Sequence, residues 1–165
     1  MRILKVKNKL KFILISILYW LVQLTWGSIL TIIGLFVALF TMIFLKGKPY
    51  RNGCSLLIKM HGNWGGACIG AIALVCDYDN ETTNYYNKEY YEHCLKHEFG
   101  HSLQQLIFGP FQIFLVAIPS SIRYLYFNYC VKKHKPTKPY DSIWFEHTAT
   151  KYGSNYLSKI NNLLK

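Results

Sequence analysis

The sequence has little charge, and negative charge above all. Only 16% of its 165 residues are charged, with 8 acidic against 19 basic side chains and a net charge of +11, whereas soluble domains carry about 25% charged residues. Apolar residues make up 52%. Since a disordered chain combines low hydrophobicity with high charge, the composition excludes disorder as a description of the whole chain.

The longest segment without any charged side chain runs from Phe12 to Leu45, over 34 residues. Such a run is typical of a segment in a lipid bilayer. Basic residues flank the run instead of interleaving with aromatic ones. This distribution favours membrane lipid as the partner of the positive charge and disfavours nucleic acid.

The apolar segment is too long for one upright helix. As a single helix it would measure about 50 Å, against a hydrocarbon core of about 30 Å. A break near Trp26-Gly27-Ser28 would instead produce a membrane helical hairpin over 12–46, after a basic arm at 1–11. Both flanks are basic, which favours both ends on the cytoplasmic side. We expect the hairpin, with one tilted span as the alternative.

The five cysteines show neither a Cys-x-x-Cys pair nor an even count. This excludes a disulfide framework of the kind that small secreted domains use. We expect these cysteines to act mostly as small buried apolar residues.

Residues 53–165 read as an α+β domain, reached through a polar linker at 46–52. Strand-like and helix-like patterns alternate with glycine- and proline-rich breaks. The expected elements are strands at 54–60 and 67–76 forming a small antiparallel β-sheet around a turn at 61–66, a loop at 77–87, a helix at 88–108 that Gly109-Pro110 ends, an apolar membrane-associated segment at 111–127, a basic loop at 128–140 and a C-terminal helix at about 141–162.

The predicted helix at 88–108 carries His97-Glu98-Phe99-Gly100-His101, an HExxH pattern. Histidines four residues apart lie on one helix face, where two imidazoles can bind the same Zn²⁺. Glu98 is rotated by about 100° from His97 and would face a water molecule beside the ion. The pattern predicts Glu98 as the catalytic general base and His97 and His101 as metal ligands.

A zinc site needs another protein ligand, and five residues are candidates: His61, His93, His134, Glu146 and His147. Glu146 is the one we favour, because a glutamate from a second helix completes a His₂Glu set, and His147 is the next candidate. Small residues at Gly100 and Ala149 would let the two helices approach closely. His93 and His101 are about 12 Å apart along the helix, so His93 is expected to be exposed or to contact a ligand only indirectly.

With these residues in place, the chain resembles zincin metallopeptidases of the gluzincin type. More closely, it resembles small bacterial membrane proteins of unassigned function that combine an apolar N-terminal segment, a block like that at 97–104 and a later Glu-x-x-Ala, here Glu146 to Ala149. The resemblance implies a zincin-like fold with His97, His101 and Glu146 on zinc. Many gluzincins have an aspartate that orients a ligand histidine where this chain has Thr150, so a hydroxyl would replace that carboxylate.

The resemblance and the apolar segment together predict a membrane-anchored zinc metallopeptidase of the bacterial inner membrane. Its catalytic domain would face the cytoplasm and hydrolyse peptides at the membrane surface. One alternative is a catalytically silent, zinc-stabilised membrane module, such as an immunity or assembly factor. Another is an intramembrane protease. Charged side chains before His97 disfavour it, because charge is costly at bilayer depth; they are Lys88, Glu89, Glu92 and Lys96.

Overall fold

The fold combines helices with one β-sheet, as expected for the α+β class. The computed structural model describes residues 2–62, 65–77 and 87–163, with only the backbone of residues 2–5. Over these residues the elements are α1 (Arg2–Thr25), α2 (Ser28–Phe44), β1 (Lys48–Asn52), β2 (Ser55–Met60), β3 (Gly66–Ile69), β4 (Ile72–Cys76), α3 (Lys88–Phe108), α4 (Ile118–Lys132) and α5 (Trp144–Asn162).

The long apolar segment is interrupted where the sequence predicts it, between Thr25 and Ser28. The membrane hairpin stays a prediction; in the described chain α1 and α2 meet at a bend of 101° and do not lie side by side. Both helices instead pack on the β-sheet. The basic arm is not a separate segment, since α1 begins at Arg2. We call this bent pair the α1–α2 elbow.

The sheet has the strand order β1-β2-β4-β3. The predicted antiparallel pairing of 54–60 with 67–76 is wrong, because β2 pairs with β4 in parallel. The reason is a turn at Gly70, whose φ of 64° suits glycine and divides the predicted second strand into β3 and β4. All five residues of β4 are buried, as expected for the central position in the sheet.

The polar linker predicted at 46–52 contains a strand instead. β1 pairs with β2 in antiparallel register, with Lys48 opposite Lys59 and Asn52 opposite Ser55. Gly53, with a φ of 63°, begins the two-residue connection between the strands, as two-residue hairpin turns require. Gly53 at the first of the two turn positions, before Cys54, is the sequence signal for this hairpin.

Alternating residues of the sheet point to two different helical layers. Ile58, Ile72 and Leu74 pack against α1 and α2. Leu57, Ala73 and Val75 pack with residues of α3. The sheet therefore lies between the α1–α2 elbow and α3.

The later helices follow the predictions closely, with one exception. α3 begins and ends at the predicted residues, and α5 begins three residues after the predicted start. The basic loop predicted at 128–140 is wrong in its first part, because α4 continues to Lys132. Residues 113–117 form a π-helical turn before α4. The predicted loop at 77–87 and the turn at 61–66 lie partly outside the described residues.

The cysteines fit the expectation from the sequence. Within the described part of the chain none of the five forms a disulfide; Cys54, Cys76, Cys94 and Cys130 are buried and Cys68 is half-buried.

No individual helix of the described chain has the length and apolar character to cross a bilayer. Two bent helix pairs reach that length and composition together, 6–25 with 28–44 and 88–111 with 113–132, the second bent by 119°.

Candidate metal centre

The two histidines of the HExxH pattern lie in the middle of α3. The Asn87 side chain caps this helix by accepting a hydrogen bond from the Tyr90 N–H at 2.8 Å, which satisfies one of the free donors at a helix start. His97 and His101 follow one turn apart, and both are buried. The Nε2 atoms of the two imidazoles are 3.1 Å apart.

α5 brings Glu146 to this pair. The helices touch at two glycines: a Cβ on Gly100 would overlap the carbonyl of Ala149, and one on Gly153 would overlap the carbonyl of Lys96. The close approach predicted from Gly100 and Ala149 is therefore confirmed. It sets Glu146, which is fully buried, one turn before the contact and opposite the histidines.

The three candidate ligand atoms form a nearly equilateral triangle. Glu146 Oε2 lies 3.0 Å from His97 Nε2 and 3.3 Å from His101 Nε2. Around a tetrahedral Zn²⁺ with bonds of about 2.0 Å, ligand atoms are separated by about 3.3 Å. His97, His101 and Glu146 form a buried group that could hold a metal ion.

Hydrogen bonds on the far side of His101 determine its tautomer, that is, which ring nitrogen carries the proton and which has a lone pair. The Gln104 amide nitrogen donates to the Phe145 carbonyl at 2.7 Å and to Thr148 Oγ1 at 2.8 Å. The amide oxygen therefore faces His101 Nδ1, at 2.8 Å. An oxygen acceptor there requires a proton on Nδ1, so the neutral imidazole directs an unprotonated Nε2 towards Glu146.

His97 has a comparable partner in Thr150, whose Oγ1 lies 2.9 Å from His97 Nδ1. The hydroxyl oxygen can accept a hydrogen bond from Nδ1–H, which leaves the lone pair of Nε2 available to bind an ion. Thr150 is the residue that stands where many gluzincins, which the sequence resembles, have an aspartate. His93 is exposed, but its ring stacks on that of His97 with centroids 5.8 Å apart.

Glu98, the predicted general base, is buried beside the triangle and packs against the edge strand β3. A Cβ on Gly66 would lie 2.8 Å from Glu98 Oε1, so a residue without a side chain is needed there. Burial raises the pKa of Glu98, although His97 and His101 oppose the shift. A raised carboxylate pKa suits a general base that works near neutral pH.

The second oxygen of Glu146 points away from the histidines, towards Tyr140. The Tyr140 hydroxyl donates to Glu146 Oε1 at 3.3 Å. Burial alone raises the pKa of Glu146, but the imidazoles of His101 and His97 outweigh it and hold the pKa well below its usual range. The side chain is therefore a carboxylate, as a metal ligand must be.

The remaining ligand candidates lie elsewhere: His61, His134 and His147 are all exposed. Sequence reasoning gave Gln104 only as a residue that could line a pocket, without its contact to His101, and it missed Tyr140. Gln104 lies three residues after His101, on the same helix face, and this spacing could have identified it. Tyr140 lies in an irregular loop, where no periodic pattern indicates what a side chain contacts.

A comparison of the chain with protein-family models, curated proteins and solved structures finds no match in any of the three.

Proposed function

We propose that this protein is a membrane-anchored zinc metallopeptidase, with His97, His101 and Glu146 as zinc ligands and Glu98 as general base. The observation that carries the proposal is the triangle of two imidazole nitrogens and one carboxylate oxygen, 3.0 to 3.3 Å apart and buried. Three electron-pair donors this close repel one another unless a cation lies between them.

The donor set favours zinc among the common metals. Two imidazoles and one carboxylate are the protein ligands of a known class of catalytic zinc site, which leaves one coordination position for water or substrate. Calcium and magnesium prefer sites built entirely from oxygen atoms. Zinc in such a site acidifies water and polarises a substrate carbonyl.

Glu98 is the residue that would move the proton. Its carboxylate takes a proton from the attacking water as the water oxygen bonds to the peptide carbonyl carbon. It then gives the proton to the leaving nitrogen as the C–N bond breaks. Hydrolysis thus consumes one water molecule and returns Glu98 to its starting charge.

The edge strand β3 supports a peptide as substrate. In the described sheet β3 pairs only with β4, so its other edge is not paired with a strand. Gly66 at the start of β3 contacts Glu98, so this edge strand packs against the residue that we propose as general base. An extended peptide that pairs with an exposed edge would therefore have its backbone close to Glu98.

Membrane anchoring is supported by the side chains of the α1–α2 elbow. Its outer surface consists of large apolar residues, among them Leu18 at 66% and Phe36 at 70% exposure. The inner surface of α2 is small or polar, because this helix buries Thr31, Gly34, Ala38 and Thr41. Small and hydroxyl residues inside with leucine, isoleucine and phenylalanine outside are typical of helices that pack together within lipid.

The test compares wild type with Glu98→Gln and His97→Ala, each purified as the full chain in detergent. Metal content is measured by mass spectrometry, and cleavage with a library of fluorescence-quenched peptides. We expect about one zinc in wild type and Glu98→Gln, and much less in His97→Ala. Cleavage should fall by at least about 100-fold in both variants. A wild type that binds no zinc would refute the proposal.

The second candidate function is a zinc-stabilised module without catalytic activity. It is favoured by the contact between His97 and the neutral hydroxyl of Thr150. A carboxylate at that place would make the ligand histidine more basic, and a hydroxyl does so less. Zinc binding without any cleavage, together with a Glu98→Gln variant that behaves like wild type in the cell, would favour this module over the peptidase.

A further inference from the structure

Tyr140 contacts both the candidate metal ligand Glu146 and helix α4. Its hydroxyl lies 3.3 Å from Glu146 Oε1 and 3.2 Å from Ser120 Oγ. Because Glu146 is a carboxylate and can only accept, Tyr140 must donate to it. The Ser120 hydroxyl then donates to the Tyr140 oxygen, so the two bonds form a chain directed at Glu146.

The Tyr140 backbone is held by a buried arginine. The Arg123 guanidinium donates to the carbonyls of Lys138 and Pro139, both at 2.8 Å, and its Nε lies 3.5 Å from the Tyr140 carbonyl. Arg123 is 9% exposed and forms no ion pair with any acidic residue in the described chain. Its guanidinium group thus faces the backbone carbonyls of residues 138–140.

A third contact comes from the same helix face. The ring of Phe127 meets that of Tyr140 edge to face, with centroids 5.8 Å apart. Ser120, Arg123 and Phe127 are spaced by three and four residues, so they share one face of α4. One helix therefore fixes the hydroxyl, the backbone and the ring of Tyr140.

This arrangement determines how Glu146 presents its two oxygens. Tyr140 binds Oε1, and Oε2 is the oxygen that faces the imidazoles of His97 and His101. We infer that Tyr140 is a positioning residue for the metal ligand Glu146, and that α4 positions Tyr140 through Ser120 and Arg123. The inference rests on the proposed function, because it needs a metal ion bound by the three ligands.

The main test is Tyr140→Phe, which removes one oxygen and keeps the ring. Zinc affinity is measured on the full chain in detergent by competition with a chromophoric chelator. We expect affinity to fall about 10- to 100-fold, the usual effect of losing a hydrogen bond to a metal ligand. The control is Tyr156→Phe, an exposed tyrosine on the same helix as Glu146, which should bind zinc as wild type does.

Two further variants test the role of α4. Ser120→Ala removes the hydroxyl that orients Tyr140, and Arg123→Lys keeps the charge but loses the planar fork that reaches several carbonyls. Both should weaken zinc binding in the same direction as Tyr140→Phe, and by less. Thermal unfolding of the metal-free proteins identifies any variant that has lost its fold.

A spectroscopic measurement separates positioning from general stability. The visible spectrum of Co²⁺ depends on the number and arrangement of its ligands. We expect the Co²⁺-loaded Tyr140→Phe protein to differ from wild type, because Glu146 Oε1 then loses the hydrogen bond from Tyr140. An unchanged spectrum with unchanged zinc affinity would overturn this inference alone. A wild type that binds no metal would overturn the proposed function as well.

Discussion

The α1–α2 elbow and the α3–α5 pair bury polar residues for different reasons. In the elbow, Gln23 and Thr31 are fully buried and bond to each other at 3.0 Å, while the outer surface is apolar. In the α3–α5 pair, the buried polar residues converge on three atoms that are suited to a cation. The polar contacts of the elbow hold helices together, whereas those of the pair create a binding site.

The difference shows that buried polarity alone does not identify a site. In the elbow the Gln23 side chain has acceptors and donors that match, because its amide nitrogen donates to the Ser102 carbonyl at 2.9 Å and its oxygen accepts from Thr31. In the α3–α5 pair, two imidazole nitrogens and one carboxylate oxygen face one another at 3.0 to 3.3 Å. Buried electron-pair donors that converge on one point therefore indicate a metal centre, whereas the burial of polar side chains alone does not.

The largest expected effect concerns the outer surface of the elbow. Leu18→Glu combined with Phe36→Glu places two charges on this surface, and each should cost about 2.5–3.5 kcal/mol in a bilayer by analogy with aspartate. We expect the chain to lose most of its membrane association, measured as the fraction that sediments with membranes after an alkaline wash. Ser154→Glu with Asn155→Glu, at exposed positions of α5, should leave that fraction unchanged. Equal sedimentation of both double variants would contradict the membrane-facing assignment.

The second-largest effect is expected at the contact between α3 and α5. Gly100→Ala adds a methyl group where the Ala149 carbonyl lies, and overpacking of this kind costs about 1–3 kcal/mol. Helix propensity alone would favour alanine by about 1 kcal/mol, so the two effects have opposite signs. We expect lower stability in denaturant unfolding together with weaker zinc binding. A gain in stability would show that the helices are not in close contact; Ser154→Ala on the exposed side of α5 is the control.

Gly66→Ala tests the contact between β3 and the general base. The added Cβ would displace the Glu98 side chain, because it would lie 2.8 Å from Oε1. We expect peptide cleavage to fall about 10-fold or more, in line with the precision that catalytic geometry needs, while zinc content stays at the wild-type level. Ala67→Val, whose side chain points to the other face of the strand, should retain activity. Loss of zinc in Gly66→Ala would show a general disturbance instead.

The smallest expected effect comes from the polar contact inside the elbow. Thr31→Val keeps the shape of the side chain and removes the hydroxyl that donates to Gln23 Oε1 at 3.0 Å. We expect a loss of about 1 kcal/mol in unfolding free energy, because a buried acceptor is left without a donor. Thr25→Val, exposed and bonded only within its own helix, should change stability by less than about 0.5 kcal/mol. Equal effects would mean that the buried contact contributes nothing.

Local signals in the sequence predicted much of this molecule correctly. The glycine after Trp26 predicted the break between α1 and α2, and Gly109-Pro110 predicted the end of α3. Glu146 was favoured among five candidates because a glutamate from a second helix completes a His₂Glu set, and the small residues Gly100 and Ala149 indicated that the two helices approach closely. The sheet was predicted less well, since the order of strands depends on which apolar strand is covered on both faces, and only the packing of α2 and α3 determines that.

The sequence by itself determined the HExxH spacing, the uncharged segment at 12–45 and the two helices that carry the candidate ligands, because each depends on residues close together along the chain. The tertiary structure decided the right-angled elbow, the parallel pairing of β2 with β4 and the contacts of Gln104 and Tyr140 around the ligands. Those features join residues tens of positions apart, and a side chain's partner at such a distance depends on how whole elements pack.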